Sequence, residues 1–212
     1  MLENDLDLLL DAVNAAGKIA LRYFRKNPKV WEKGSNEGPV TEADIEINNM
    51  LVDRLLSARP DYGWLSEETE DDPVRLDKDY VFIVDPIDGT RSFIDGHENY
   101  ACALGIAFKG VMKVAAVQMP SLEQTFWASV GSGAYQNGKR INVSCRSDVH
   151  GSSILTAKPN LDSVYWPGGV PPMRQFYRSS LAYRLCLAAN GSFDSVVTLR
   201  DCWEWDLSLI HI

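Results

Sequence analysis

The run Val81-Phe82-Ile83-Val84, followed at once by Asp85-Pro86-Ile87-Asp88-Gly89-Thr90, decides how the rest of the chain is read. Four β-branched or aromatic residues in succession have the composition of a buried strand. Asp-Pro predicts its end, because proline donates no ladder hydrogen bond and restrains the residue before it. Two carboxylates are thus expected at a strand end, facing a Gly-Thr pair whose backbone N–H groups suit an anion. Hard divalent cations take oxygen ligands, and Mg²⁺ in particular bridges protein carboxylates to phosphate. The segment reads as half of a metal-phosphate site.

Upstream, residues 5 to 26 carry Leu6, Leu9, Leu10, Val13, Ala16, Ile19, Ala20, Tyr23 and Phe24 at three- and four-residue spacings, which predicts a long amphipathic helix with Asp5 placed to cap it. Residues 33 to 39 are polar and turn-rich, so an exposed loop is expected there. Thr41 then starts a second helix as N-cap, with Ile45, Met50 or Leu51, and Leu55 on its inner stripe and its end before Pro60. Asp44 stands where the acidic partner of a capping box belongs. The local pattern favours that cap over a place in a site. Trp64 to Thr69 is a short strand running into Glu67 and Glu68, a pair that by itself reads as solvated. The acidic stretch from Glu70 to Asp79 is a surface excursion.

Downstream, residues 91 to 96 form a short helical turn closed by Gly96. Strands are predicted over 101–108, 112–119 and 124–129, with a Lys109-Gly110 turn and an Asn137-Gly138 hairpin. Consecutive hairpins imply a largely antiparallel sheet. A strand at 154–156, a long irregular loop over 158–172 suited to a junction or lid, a helix over 180–190 and a strand over 195–199 lead to Trp203-Glu204-Trp205-Asp206. The fold class expected is α+β, a layered α/β/α sandwich with mixed, mostly antiparallel sheets.

The chain has 212 residues, 45% hydrophobic and 24% charged, enough to bury a full core. Its net charge of −8 argues against nucleic-acid polymers and anionic membranes as partners and leaves room for a small anion held beside a cation. No apolar run is long enough to span a bilayer and the first residues are acidic, so a cytoplasmic protein is expected. Cys102, Cys145, Cys186 and Cys202 form no C-x-x-C pair and read as reduced packing residues. His97 and His150 are isolated and read as structural or surface residues. Trp203 and Trp205 read as core side chains ahead of a platform for a base.

Four segments together resemble the inositol monophosphatase family: Val40-Thr41-Glu42-Ala43-Asp44, Glu67-Glu68 after a strand, Asp85-Pro86-Ile87-Asp88-Gly89-Thr90, and Trp205-Asp206. The resemblance runs from the first helix to Asp206 and implies the sugar-phosphatase fold and a Mg²⁺-dependent phosphatase of small phosphorylated substrates. It implies two to three ions. Glu67, Asp85 and the Ile87 carbonyl would bind the first, Asp85, Asp88 and Asp206 the second, and a weaker third would share Glu67 through water. Glu67, Thr90 and Asp44 become the catalytic set, with Thr90 near the attacking water and Asp44 in the outer shell. Gly89, Thr90 and Asp88 become substrate contacts. A homodimer is the assembly common in the family.

Within the family, inositol-phosphate enzymes usually place a glutamate seven residues before the Trp-Asp aspartate, where this chain has Leu199. The Ser179-Ser180-Leu181 helix start and the Trp166-Pro167-Gly168-Gly169 loop look closer to the bacterial 3′(2′),5′-bisphosphate nucleotidase-like branch. Removal of the 3′-phosphate from adenosine 3′,5′-bisphosphate is therefore the expected reaction, with inositol-1-monophosphatase, histidinol-phosphatase or a ligand-binding relative without activity as alternatives. Arg178 and Arg184 are candidates for a second phosphate, against plain surface charges. The family pattern continues past Trp-Asp with a helix and a further strand. Here Leu207-Ser208-Leu209-Ile210-His211-Ile212 is also the translation of CTG TCT CTT ATA CAC ATC, the end sequence of a transposon-based sequencing adapter. The expected organisation is an N-terminal metal-binding portion (1–157), an incomplete C-terminal α/β portion (158–206) and a non-native tail (207–212).

Overall fold

The computed structural model describes residues 2–34, 38–199 and 201–207. Helix α1 (Leu2–Tyr23) buries a stripe of Leu9, Ala12, Val13, Ala16 and Ala20. It begins ahead of Asp5, which therefore does not cap it. The Asp5 carboxylate is wholly buried and accepts from Arg59 Nε at 2.9 Å and from the Tyr62 hydroxyl at 3.2 Å. Strands β1 (Val30–Glu32) and β2 (Pro39–Thr41) pair as a small antiparallel hairpin around the expected loop, whose residues 35–37 lie outside the described ones.

Helix α2 (Glu42–Ala58) starts with the expected capping box. Thr41 Oγ1 accepts from the amides of Ala43 and Asp44, and Asp44 Oδ2 accepts from the Thr41 amide at 2.8 Å. Such a cap contributes about 1 kcal/mol. The buried stripe is Ile47, Leu51 and Leu55, four residues apart, whereas Ile45 falls outside that period and is 38% exposed.

The main sheet has seven strands in chain order: β3 (Gly63–Ser66), β4 (Tyr80–Asp88), β5 (Ala101–Phe108), β6 (Val111–Met119), β7 (Gln124–Ser129), β8 (Gly133–Gln136) and β9 (Lys139–Arg140). β3 and β4 run parallel, and every later pairing is antiparallel. Strand alternation gives the sheet two apolar faces. Phe82, Val84, Cys102, Leu104 and Val114 pack with α1 and α2, while Leu65, Ile83, Ala103, Val117 and Met119 share the opposite core with Leu155, Ala182, Cys186 and Leu187. Each large aliphatic side chain so buried contributes about 1.5–3 kcal/mol.

That second core belongs to a smaller unit: β10 (Ser153–Leu155), β11 (Arg174–Phe176), α4 (Leu181–Ala189) and β12 (Ser195–Val196). Its three strands are parallel in the order β11-β10-β12, an arrangement the hairpin pattern did not foreshadow. β10 is its central strand, so the small sheet begins on the N-terminal side of residue 158. β12 is shorter than the expected 195–199, and Leu199 is 50% exposed. A final short helix, α5 (Glu204–Leu207), packs against β4 and α4. Apart from Leu207, the expected tail lies outside the described residues.

Among the described residues no helix is long and apolar enough to cross a membrane. Cys102, Cys145 and Cys186 are free thiols. Cys102 and Cys186 are buried as expected, but Cys145 is exposed and is not a packing residue.

Candidate metal centre

The strand expected to stop at Val84 continues to Asp88. In its pairing with β5, Asp85 stands opposite Ala103 and Asp88 opposite Ala101, three residues against two. The extra residue is a β-bulge, and Pro86 is tolerated inside it because no ladder hydrogen bond is required there. The bulge has a further consequence. Residues 85 and 88 would face opposite sides of a regular strand, and one inserted residue returns both to the same side.

Gly89 then turns the chain at φ 93°, and a side chain there would place its Cβ 3.0 Å from the Asn99 carbonyl oxygen. Only glycine meets both demands. Helix α3 (Thr90–Ile94) follows, with the Thr90 hydroxyl donating to the Ile87 carbonyl at 3.0 Å. Asp206, on α5, completes a cluster. One carboxylate oxygen from each of Asp85, Asp88 and Asp206 lies within 4.8 Å of the others.

Hydrogen bonds within the chain orient several of these acids. Asp44 Oδ2 is engaged by Thr41, while its Oδ1 is buried without a hydrogen-bond partner. Asp85 Oδ1 is likewise buried and unpartnered. Asp88 Oδ2 accepts from the Ser180 hydroxyl and from the Ala182 amide, each at 2.6 Å. Asp206 Oδ2 accepts from the Trp203 amide at 3.0 Å. An unsatisfied buried carboxylate oxygen is costly, so an all-oxygen set of this kind fits a hard divalent cation.

Glu67 stands beside this cluster at the end of β3, its amide donating to Val84 O at 3.2 Å. Lys33 reaches across from the β1–β2 hairpin, Nζ lying 2.9 Å from Glu67 Oε1 and 2.6 Å from Glu68 Oε1. Glu68 is therefore an ion-pair partner, not a solvated neighbour. Asn48 supports the loop from below, accepting from the Ser66 hydroxyl at 2.7 Å and donating to Thr69 Oγ1 at 3.1 Å.

Crowding of acids in a buried place shows in their ionisation. Burial, then Glu67, Asp88, Asp206 and Asp44, hold the Asp85 carboxyl well above the usual carboxylate range. Burial pushes Asp88 up to about 6 against the Ser180 and Ala182 hydrogen bonds, and pushes Asp44 up to about 6 against those from Thr41. Glu68 rises to about 7 through burial in spite of Lys33. Burial disfavours the Lys33 ammonium, but Glu67 and Glu68 outweigh it and hold its pKa above the ordinary value. Such perturbation in one cluster is the usual mark of a functional site.

Of the sequence-predicted residues, Asp85, Asp88 and Asp206 come together as one group, Glu67 and Asp44 lie near enough to raise the Asp85 pKa, and Ile87, Gly89 and Thr90 follow along the turn from β4 into α3. Asp44 both closes the cap and presents its second oxygen. Sequence reasoning missed Lys33, placed in an exposed loop, and Ser180, read only as a helix start. Neither carries a spacing signal. Arg184 is buried on α4 with its guanidinium 5.7 Å from the Tyr177 ring centroid, so it is not a plain surface charge. Trp203 is 62% exposed and stacks on Trp205 at 5.2 Å, which corrects its placement in the core, while Trp205 packs on the second core. His97 and His150 lie exposed as expected.

A profile described as Inositol monophosphatase family matches residues 1–208. An inositol-1-monophosphatase of Rhizobium meliloti is 31% identical over 215 residues, covering 96% of this chain and 79% of that protein. A histidinol-phosphatase of Chlorobaculum parvum is 34% identical over 152 residues, covering 71% of this chain and 58% of that protein. The solved structure of an IMPase from Thermotoga maritima superposes with a TM-score of 0.87 at 27% identity, covering 97% of this chain and 80% of that one. The chain therefore spans less than two thirds of the histidinol-phosphatase and about four fifths of the other two.

Proposed function

The chain belongs to the inositol monophosphatase family, and from that premise we propose that it is a divalent-metal-dependent phosphomonoesterase of small phosphorylated metabolites. The observation that carries this reading is the convergence of Asp85, Asp88 and Asp206 beside Asp44 Oδ1 and Asp85 Oδ1, two buried oxygens with no hydrogen-bond partner among the described residues. Asp85, Glu67 and the Ile87 carbonyl would hold one Mg²⁺, Asp85, Asp88 and Asp206 a second, and Glu67 would share a third. Bound there, such ions neutralise phosphoryl charge, lower the pKa of water and stabilise the leaving alkoxide.

The chain's own groups supply the rest. The Thr90 hydroxyl spends its proton on Ile87 O, so its oxygen lone pairs can accept from and orient a water. Gly89 brings the backbone close enough for the Gly89 and Thr90 amides to hold phosphate oxygens. Asp44 and Glu67 would take up a proton from that water, and burial has raised the affinity of Asp44 for it. Phosphoryl transfer depends on such positioning and charge placement more than on covalent chemistry.

Two substrate classes follow. The names of the relatives support a monoester of a small alcohol. Leu199, half exposed and without a polar group for ring hydroxyls, puts histidinol phosphate ahead of inositol 1-phosphate. The exposed Trp203, stacked on Trp205 beside Asp206, favours adenosine 3′,5′-bisphosphate as the second reading, since stacked indoles present a face to a base. The test is phosphate release from these three compounds with Mg²⁺ and with EDTA. Metal-dependent release from at least one is expected; no turnover of any would replace the enzyme with a binding protein.

A further inference from the structure

Helix α4 belongs to the small sheet, yet its first turn is fastened to the metal centre. Ser180 is completely buried and acts in two directions. Its hydroxyl oxygen accepts from the Tyr183 amide at 3.0 Å, closing the helix N-terminus, and its proton goes to Asp88 Oδ2 at 2.6 Å. The Ala182 amide reaches the same oxygen at 2.6 Å. Next to it, Ser179 donates to the Asn99 carbonyl at 2.9 Å and contacts the Ser92 hydroxyl. That Asn99 carbonyl and the Ser180 Cβ and amide nitrogen are the atoms that crowd Gly89. The same helix packs against α5, which carries Asp206.

A helix cap needs an acceptor, and serine, threonine, asparagine and aspartate all provide one. The contact with Asp88 needs a donor, which aspartate lacks and only a hydroxyl or an amide provides. Serine at 180 therefore answers two demands at once, and the second has nothing to do with the helix.

We infer that Ser180 is a positioning residue for the metal centre: with the Ala182 amide it ties up Asp88 Oδ2, so that Asp88 meets a cation through Oδ1 alone and in one orientation. The inference rests on the metal-dependent reading above. Hydrogen-bond partners of ligating carboxylates typically change metal affinity 10- to 100-fold. Through this bond the small parallel sheet sets the geometry of a ligand on the large one.

The experiment uses the full 212-residue chain and Mn²⁺ as the probe, with binding followed by the electron paramagnetic resonance of free Mn²⁺. Ser180→Gly keeps an acceptable cap but loses the donor, and Ser180→Thr keeps both. Ser180→Gly is expected to weaken Mn²⁺ binding roughly tenfold or more and Ser180→Thr to restore it. In an Asp88→Asn background Ser180→Gly is expected to add nothing, since the two act through one contact. Circular dichroism of each variant reports whether α4 is formed. Saturable binding by the wild-type chain that Ser180→Gly leaves unchanged would overturn the clamp and spare the metal reading. Absence of saturable binding by the wild-type chain would overturn both. If Ser180→Gly does not fold, Ser180→Ala decides, because a tenfold loss of Mn²⁺ affinity with α4 intact supports the clamp and wild-type affinity refutes it.

Discussion

Two buried aspartates make an instructive pair. Asp5 and Asp85 are 0% and 2% exposed, both surrounded by packed helix and sheet. Asp5 has its counter-ion within the chain: Arg59 Nη2 lies 2.7 Å from Oδ1, and the Tyr62 hydroxyl donates to Oδ2. Asp85 has an unpartnered Oδ1 and faces Glu67, Asp88, Asp206 and Asp44, so its neighbours repel it. A chain that satisfies one buried acid fully and leaves another among like charges holds the second in a setting that fits a cation from outside. The difference between these two regions, more than the count of acids, separates a structural carboxylate from a functional one.

The largest effect is expected from making the same change at both places. Asp85→Asn should lower phosphatase activity 1,000-fold or more, about 4 kcal/mol of transition-state stabilisation, while raising the melting temperature of the metal-free protein by relieving repulsion. Asp5→Asn should leave activity close to wild type and lower stability. Arg59 stays in reach of solvent, so the loss is expected at about 1–3 kcal/mol and not the full value for a sealed ion pair. Phosphate-release rates and melting curves in EDTA measure both. If Asp85→Asn melts below wild type without metal, the contrast is broken.

Metal addition gives an intermediate effect. Mg²⁺ at about 100 times its dissociation constant should stabilise the wild-type chain by about 2.7 kcal/mol, roughly 5–10 °C for a domain of this size. Asp5→Asn should gain the same increment, and Asp85→Asn none. An equal Mg²⁺ shift in Asp85→Asn would move the ion elsewhere.

Much of this contrast was legible in the sequence, and the exceptions have physical causes. Asp85 and Asp88 stood out at a strand end beside a Gly-Thr pair, whereas Glu67, which by itself read as solvated, and Asp206, which lies on α5, entered only through the family resemblance. Asp44 was found as a cap, and it is one; its second oxygen became visible only in three dimensions. The bulge at Pro86 could not be read, because proline after aspartate signals a strand end equally well. Asp5 was mistaken for a cap because its partners, Arg59 and Tyr62, lie more than fifty residues away. Lys33 and Ser180 follow the same rule: each meets its acid across an unrelated element, and no local period records a contact between elements. The parallel order β11-β10-β12 was hidden too, since strands this short carry little pattern.

The smallest expected effect concerns a third kind of acid, satisfied chiefly by hydrogen-bond donors. Asp194 precedes β12 and accepts from the Ser153 amide at 2.7 Å and the Ser153 hydroxyl at 2.8 Å, with Arg146 Nε at 3.6 Å. The Ser153 amide first, then the hydroxyls of Ser144 and Ser153, lower its pKa to about 2. A carboxyl whose folded value lies below its unfolded value stabilises the fold above the unfolded value, near 4, and loses that contribution as pH falls toward the folded one. Asp194→Asn should therefore lower the urea midpoint at pH 5, and the gap from wild type should narrow by pH 3. Mg²⁺ should not alter the gap, because Asp194 ties β10 to β12 and takes no part in the acidic cluster. A gap that stayed constant from pH 5 to pH 3 would mean that Asn and Asp differ there in shape and not in charge. A gap that closed on adding Mg²⁺ would join Asp194 to the metal centre and undo its separation from Asp85.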